Sequence, residues 1–181
     1  CGKAASRMEV KIDSPDPNTH AGEIICRGTN LMLGYYKNPE ATAQIIDKDG
    51  WLHTGDLGTM DNQGYVTIRG RSKNLLLNSS GHNIYPEEIE SKLNNMLYVS
   101  ESLIVLQNDK LVALIYPDFD EAFANGLQQP DIEKAMENNR IELNLQLPSY
   151  SQITKVKLHF EEFEKTAKKS IKRFMYQEAK G

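Results

Sequence analysis

Long apolar runs are missing from this chain; the longest, such as "LIVL" and "LLL", fall far short of the ~20 residues that a membrane-spanning helix needs. Cysteine is nearly absent. Cys1 and Cys26 cannot build a disulfide framework, and no Cys/His cluster has zinc-ligand spacing, so no metal site is expected. A positive excess is lacking too: 21 Lys and Arg against 25 Asp and Glu leave a net charge of −4, which argues against nucleic-acid binding by the chain as a whole. No signal peptide is expected, and a reducing, cytoplasmic setting fits these absences. What is present, 39% hydrophobic and 25% charged residues over 181 positions, is the composition of a globular protein with a real core. The length suits one domain or two small ones.

The opening "CGKAASRMEVKID" enters a strand-like alternation of Met8, Val10 and Ile12 with no leading element to pack it, as expected of a fragment of a longer protein. Short strands and turns follow to residue 70. "GEIICRG" (22–28) reads as a strand, and "NPEATAQII" (38–46) as a short helix with Asn38 as N-cap and Pro39 at its first position. The Asx/Gly turns "DKDG" and "DNQG" flank "WLHTGDLG", and "YVTIRG" is the next strand. The apolar content of this part is modest.

After Arg71 the texture becomes mixed. "NLLLNSSGHNIYP" predicts two short strands around a Ser-Ser-Gly turn. Pro86 opens a helix, "PEEIESKLNNML", with Ile89, Leu93, Met96 and Leu97 as its apolar stripe. Asn108-Asp109 joins "SLIVLQ" to "KLVALIYP" in a hairpin. A helix is predicted from about Asp131, with Ile132, Ala135, Met136 and Leu143 on one side, and "ITKVKLHF" is a strand with one wet face. The fold class is therefore α+β: a β-rich part over residues 1–70 and a small α+β domain over 71–181.

Between the two parts, "IRGRSKNLLLNSSGHNIYPEEIE" sets the permissive backbone of Gly70 and Gly81 beside the charges of Arg69, Arg71 and Lys73. This fits a hinge at an anionic ligand, or a solvated interdomain turn.

The order "GEIICRGTNLMLGYYKNPEAT", "GWLHTGDLG", "GYVTIRGRSKNLLLNSSGHNIYPEEIE" and "KTAKKSIKR" resembles the C-terminal part of the adenylate-forming superfamily. That superfamily comprises acyl-CoA synthetases, adenylation domains of peptide synthetases, and luciferases. The Lys73-Asn74 pair after Gly70-Arg71 is most similar to long-chain fatty acid CoA ligases. The resemblance covers nearly the whole chain. It implies that residues 1–70 close a large AMP-binding domain, most of which lies upstream, and that 71–181 form a mobile lid.

The resemblance implies a role for each motif. In Thr54-Gly55-Asp56, Asp56 accepts hydrogen bonds from the ribose hydroxyls of ATP, with Thr54 beside it, and Arg71 reaches the ribose or phosphates. Lys73 is the hinge. Gly81, in the loop after the hinge, lines the passage for CoA. The superfamily lysine that neutralises charge during adenylation is replaced here by Ser170, so Lys169 is the first candidate for its task and Lys172 the second. ATP and CoA are the implied cosubstrates, with Mg2+ bound mainly by the upstream part. The implied reaction joins a fatty acid to CoA through an acyl-adenylate, releasing AMP and pyrophosphate, and the fragment alone is expected to be inactive. Two alternatives stand beside it: an adenylation enzyme for another acid with a carrier-protein acceptor, and a non-catalytic module that meets an anionic membrane through its basic tail.

Overall fold

The computed structural model describes residues 2–177, so Cys1 lies outside it. These residues form two units, divided between Asn74 and Leu75.

In the first unit, alternating residues pair the chain into an antiparallel sheet. Its strands are β1 (Met8–Asp13), β2 (Gly22–Gly28), β3 (Leu52–Met60) and β4 (Val66–Arg71), in the order β1-β2-β3-β4. β1 and β2 run without a slip, from Met8 opposite Gly28 to Asp13 opposite Glu23. The helix α1 (Pro39–Ile45) starts as its sequence dictates: the Asn38 side chain accepts from the Ala41 N–H at 3.0 Å, and proline occupies the first turn. Both Asx/Gly turns form, with Asp47 Oδ1 accepting from the Asp49 and Trp51 amides, and Asp61 Oδ1 from those of Gln63 and Tyr65. Ala21, Ile24 and Ile25 are the buried hydrophobics among the described residues of this unit, a thin core consistent with its modest apolar content.

Two register breaks shape β3. Between Glu23 and Ile25, two steps along β2 face four along β3, from Leu57 back to His53. Thr54, Gly55 and Asp56 thus bulge outward opposite Ile24 alone. Then one step from Leu57 to Gly58 faces two on β4, from Gly70 to Ile68, and Arg69 is the extra residue. Such bulges bend a strand and re-aim its side chains. Arg69, which the sequence suggests is a surface residue, is half-buried there. Arg71 ends β4 as the partner of Asp56, so the first unit runs a few residues beyond the change of texture in the sequence.

In the second unit, β5 (Leu76–Leu77) and β6 (Asn83–Ile84) flank the Ser-Ser-Gly turn. A three-stranded sheet follows, built from β7 (Val99–Gln107), β8 (Lys110–Pro117) and β9 (Lys155–Leu158). Asn108 and Asp109 both take positive φ, 47° and 61°, which is the demand of a two-residue hairpin turn of the type I′ kind. β9 is parallel to β8, so the chain must cross over, and α3 (Phe119–Ala124) and α4 (Gln129–Asn144) make the crossing.

The sheet is covered on both faces, which is why β7 and β8 read as continuous apolar runs. On one face Ile104, Ala113 and Ile115 pack against Ile89 and Leu93 of α2 (Pro86–Leu93) and Ile132, Met136 and Leu143 of α4. On the other, Leu103, Val105, Val112 and Leu114 meet Phe163, Ile171 and Tyr176 from the segment after β9.

Three elements differ from expectation. α2 ends at Leu93, so Met96 follows the helix and Leu97 is 69% exposed. α3 was not foreseen; the Asp118 side chain caps it by accepting from the Glu121 N–H at 2.9 Å. The last strand is confined to Lys155–Leu158, with Ile153 buried before it and Phe160 exposed after it.

Candidate functional site

The bulge on β3 is held from within and from β2. Thr54 Oγ1 donates to the Ile24 carbonyl at 2.6 Å and accepts from the Asp56 N–H at 3.0 Å. Gly55 sits at φ +71°, the left-handed region that glycine adopts without strain, and its N–H donates to Glu23 Oε1 at 2.9 Å. Thr54 is thus engaged inside the loop. Asp56 is half-buried and faces Arg71, whose Nη1 lies 2.8 Å from Asp56 Oδ1 and donates to the Thr54 carbonyl at 3.0 Å. Among the described residues Asp56 Oδ2 has no hydrogen-bond donor, and a carboxylate held by one oxygen can accept at the other.

A second acidic contact lies behind the loop. Glu23 Oε2 meets His53 Nδ1 at 2.8 Å, and His53 Nε2 is 3.8 Å from Asp47 Oδ2. The hydrogen bond to Glu23, helped by the charges of Glu23, Asp47 and Asp13, raises the His53 pKa above its usual value against the opposing effect of burial. The Asp47 carboxyl is lowered, chiefly by the Trp51 amide and then by that of Asp49. Glu23 was not singled out in the sequence. It stands thirty-two residues from Gly55, and only the slipped register brings them together.

Lys73 lies in the exposed 3-10 turn Ser72–Asn74, at the end of the first unit. In the second unit Gly81 closes the turn after β5 at φ +78°, its N–H bonded to the Asn78 carbonyl. Open space surrounds the position where a Cβ would stand, so backbone conformation is what demands glycine there. The loop is tied to its surroundings: the Ser79 N–H donates to Asp109 Oδ1 at 3.0 Å, and the His82 and Tyr150 rings stack with centroids 4.6 Å apart.

The lysine-rich stretch is a small hairpin. Lys165 pairs with Ile171, Thr166 N–H donates to the Ser170 carbonyl, and Lys169 N–H donates to that of Thr166. Lys169 stands at the turn with φ +60°, a conformation that favours glycine, and is exposed beside Ser170. Lys172 is committed elsewhere, 3.4 Å from Glu164 Oε2, and Lys165 lies 2.7 Å from Glu101 Oε1. Beyond the hairpin, both guanidinium branches of Arg173 grip the two oxygens of Glu90 on α2, and Glu90 Oε1 also accepts from the Ile104 N–H at 2.6 Å. Burial drives the Glu90 carboxyl upward while Arg173 and the Ile104 amide pull it down. This anchor also escaped sequence reading, although an acid beside the apolar stripe of α2 required a partner.

Asp56, Arg71 and Thr54 are thus brought together in the first unit, while Gly81, Lys169 and Lys172 belong to the second. Among the described residues no three His, Cys, Asp or Glu side chains converge to hold a metal ion. Asp56 is already committed to a guanidinium, and these residues do not assemble a Mg2+ site. No helix among them is long and apolar enough to cross a membrane.

Residues 73–179 match the family model described as the AMP-binding enzyme C-terminal domain. The chain is 48% identical over 104 residues to a methyl-dioxo-octahydroindenyl propanoyl:CoA ligase of Rhodococcus jostii, covering 58% of this chain and 19% of that protein. It is 34% identical over 178 residues to a 2-methylpropanoate–CoA ligase of Humulus lupulus, covering 93% and 31%. Among solved structures, ATP-bound MatB from Rhodopseudomonas palustris superposes with a TM-score of 0.68 at 27% identity, over 97% of this chain and 34% of that one. The chain therefore spans less than a third of the length of these two curated relatives.

Proposed function

The chain belongs to the AMP-binding enzymes through their C-terminal domain, and on that premise we propose that the protein is an acid-thiol ligase. It would join a carboxylic acid to CoA at the expense of ATP. The observation that carries this is the outward bulge at Thr54-Gly55-Asp56, which presents a carboxylate with one oxygen held by Arg71 and the other available. Two vicinal ribose hydroxyls match such an acceptor, because charge-assisted bonds are about twice as strong as neutral ones. Arg71 keeps its charge at any working pH and orients the carboxylate while remaining within reach of a phosphate.

Two half-reactions follow. A carboxylate oxygen attacks the α-phosphorus of ATP and pyrophosphate leaves, giving the acyl-adenylate; the CoA thiolate then attacks the acyl carbon and the bond to AMP breaks. Lys169, at the tip of its hairpin, is the cation we assign to the first step, with Lys172 second because Glu164 engages it. Lys73 is the hinge between the steps, and the loop around Gly81 borders the thiol's approach in the second. No step is assigned to Mg2+.

For the acyl group we propose a long-chain fatty acid, on the similarity of the Lys73-Asn74 pair alone; the relatives named above take other acids. We place the protein in the cytoplasm. Of the tail lysines, Lys165 and Lys172 are engaged by acids, which leaves Lys168 and Lys169, and at about 1 kcal/mol per basic residue near an anionic surface these give only fleeting membrane contact. The test is acid-dependent pyrophosphate release from ATP by the complete enzyme, then CoA-dependent AMP release, over short-chain, aryl and long-chain acids. Turnover confined to short-chain and aryl acids would remove the long-chain reading, and pyrophosphate release without CoA dependence would remove the ligase.

A further inference from the structure

The bulge on β3 leaves the Gly55 amide out of register with β2, so it has no strand carbonyl to meet. A partly buried N–H in that position needs an acceptor from elsewhere. Glu23 supplies it with one carboxylate oxygen and spends the other on His53. The remaining bonds of the loop, through Thr54 Oγ1, fix its ends. The Glu23 bond fixes its middle, at the left-handed residue that decides where Asp56 points.

We propose that Glu23 is a positioning residue for nucleotide binding, holding the Thr54-Gly55-Asp56 loop by its central amide while His53 braces the Glu23 carboxylate. The proposal rests on the reading of Asp56 as the ribose acceptor. Glu23 spends one bond from each oxygen on the protein itself, Oε1 on the Gly55 amide and Oε2 on His53. Its effect on a nucleotide passes through the direction of the Asp56 side chain and through Arg71, which bonds both Asp56 and the Thr54 carbonyl. A carboxylate suits this task better than a neutral amide would, since bonds to a charged acceptor are shorter and stronger. The charged groups acting on His53 are Glu23, Asp47 and Asp13, all acids, so its protonated form is favoured and strengthens the brace.

The experiment uses the full 181-residue chain and two variants, Glu23→Ala and Glu23→Gln, with amide exchange and histidine titration followed by NMR. In Glu23→Ala the Gly55 amide is expected to exchange about tenfold faster, the factor that one hydrogen bond to a charged group is worth, while amides of β1 keep their rates. Glu23→Gln keeps an acceptor oxygen and restores most of the Gly55 protection, yet lowers the His53 titration midpoint by removing the charge. AMP is the probe for affinity, measured on the complete enzyme carrying the same substitutions, where Glu23→Ala weakens binding by about tenfold with recovery in Glu23→Gln. Unchanged Gly55 exchange in Glu23→Ala overturns the proposal, as does uniform loss of protection across the sheet that glutamine fails to rescue. So does faster exchange with unaltered AMP affinity. If Asp56→Ala leaves the AMP affinity of the complete enzyme unchanged, the ribose reading fails separately, and Gly55 exchange still judges whether Glu23 holds the loop.

Discussion

Asp56 and Arg71 stand directly opposite each other on β3 and β4, and one guanidinium nitrogen reaches both the Asp56 carboxylate at 2.8 Å and the Thr54 carbonyl at 3.0 Å. As a stabilising contact this pair is minor. The Asp56 and Arg71 side chains are 35% and 50% exposed, and pairs so open to water are worth about 0–1 kcal/mol. What the pair does is orient a carboxylate on a bulge.

Asp56→Ala is therefore expected to cost the first unit less than about 1 kcal/mol in denaturant unfolding. In the complete enzyme it should lose about 1.5–3 kcal/mol per hydrogen bond to ribose, a rise of tenfold or more in the KM for ATP. A large loss of stability with ATP use unchanged would make Asp56 a structural residue only.

The His53 pKa is raised in the folded chain, above the ordinary 6.5, by Glu23 first and then by neighbouring acids. A base with a raised pKa contributes stability that is fully present below its unfolded value and is lost as pH rises through the folded one. Unfolding of the first unit, followed by the single tryptophan, Trp51, should thus show stability falling above about pH 6.5, and His53→Gln should flatten that slope. The size is modest because the His53 side chain is partly exposed. An identical slope in the variant assigns the pH dependence to other groups.

Arg173→Met leaves the Glu90 carboxylate buried without its cation, and breaking a buried pair in this way costs about 3–5 kcal/mol. Glu90, already pushed upward by burial, would rise further. A carboxyl raised in the folded state binds more protons there than when unfolded, so the variant should regain stability as pH falls and lose it as pH climbs. Unfolding measured from acid to neutral pH checks both sign and size; a pH-independent deficit would mean that lost packing dominates.

Lys169 offers a substitution that separates backbone from charge. At φ +60° a non-glycine residue is strained by about 1–2 kcal/mol, so Lys169→Gly should stabilise the second unit by about 1 kcal/mol whereas Lys169→Ala should not. Both remove the ammonium, and both should lower adenylation by about 10²–10³ if it serves the transition state. Ser170→Lys should restore the rate in either background. Adenylation at the parental rate in Lys169→Gly would exclude Lys169 from catalysis.

Lys73→Pro fixes φ and removes a donor in the turn at the end of the first unit. With Lys73 as the hinge, one half-reaction should survive and the other collapse, assayed as ATP–pyrophosphate exchange and as thioester formation from supplied acyl-adenylate. Equal retention of both would take the hinge away from Lys73.

Local chemistry was legible in the sequence wherever a side chain acts on its own neighbours. Asn38 with Pro39, Asn108 with Asp109, and the Ser-Ser-Gly turn each encode their geometry within a few residues. Boundaries were less legible: Met96 and Leu97 keep helical spacing beyond Leu93, but the chain turns into β7 first. The α+β class followed from element order, and the motifs pointed to the family before any fold was known. Glu23 and Arg173 were hidden because their partners, Gly55 and Glu90, lie 32 and 83 residues away, one across a slipped register and the other on a helix from the start of the second unit. No periodicity reports such pairs.

The segment after β9 lays Phe163, Ile171 and Tyr176 over Leu103, Val105, Val112 and Leu114, the apolar residues of β7 and β8 that do not pack with α2 and α4. During synthesis β7 and β8 emerge well before that cover does. The nascent hairpin must therefore wait with a greasy flank open, a natural holding point for a chaperone and a moment of risk for self-association. The Lys169 hairpin sits inside the late cover, so whatever cation it delivers becomes available only once the sheet has been sealed. Truncation just short of Phe163, which removes the whole cover and the lysine loop with it, should accordingly yield insoluble protein rather than a folded enzyme with a missing lysine loop.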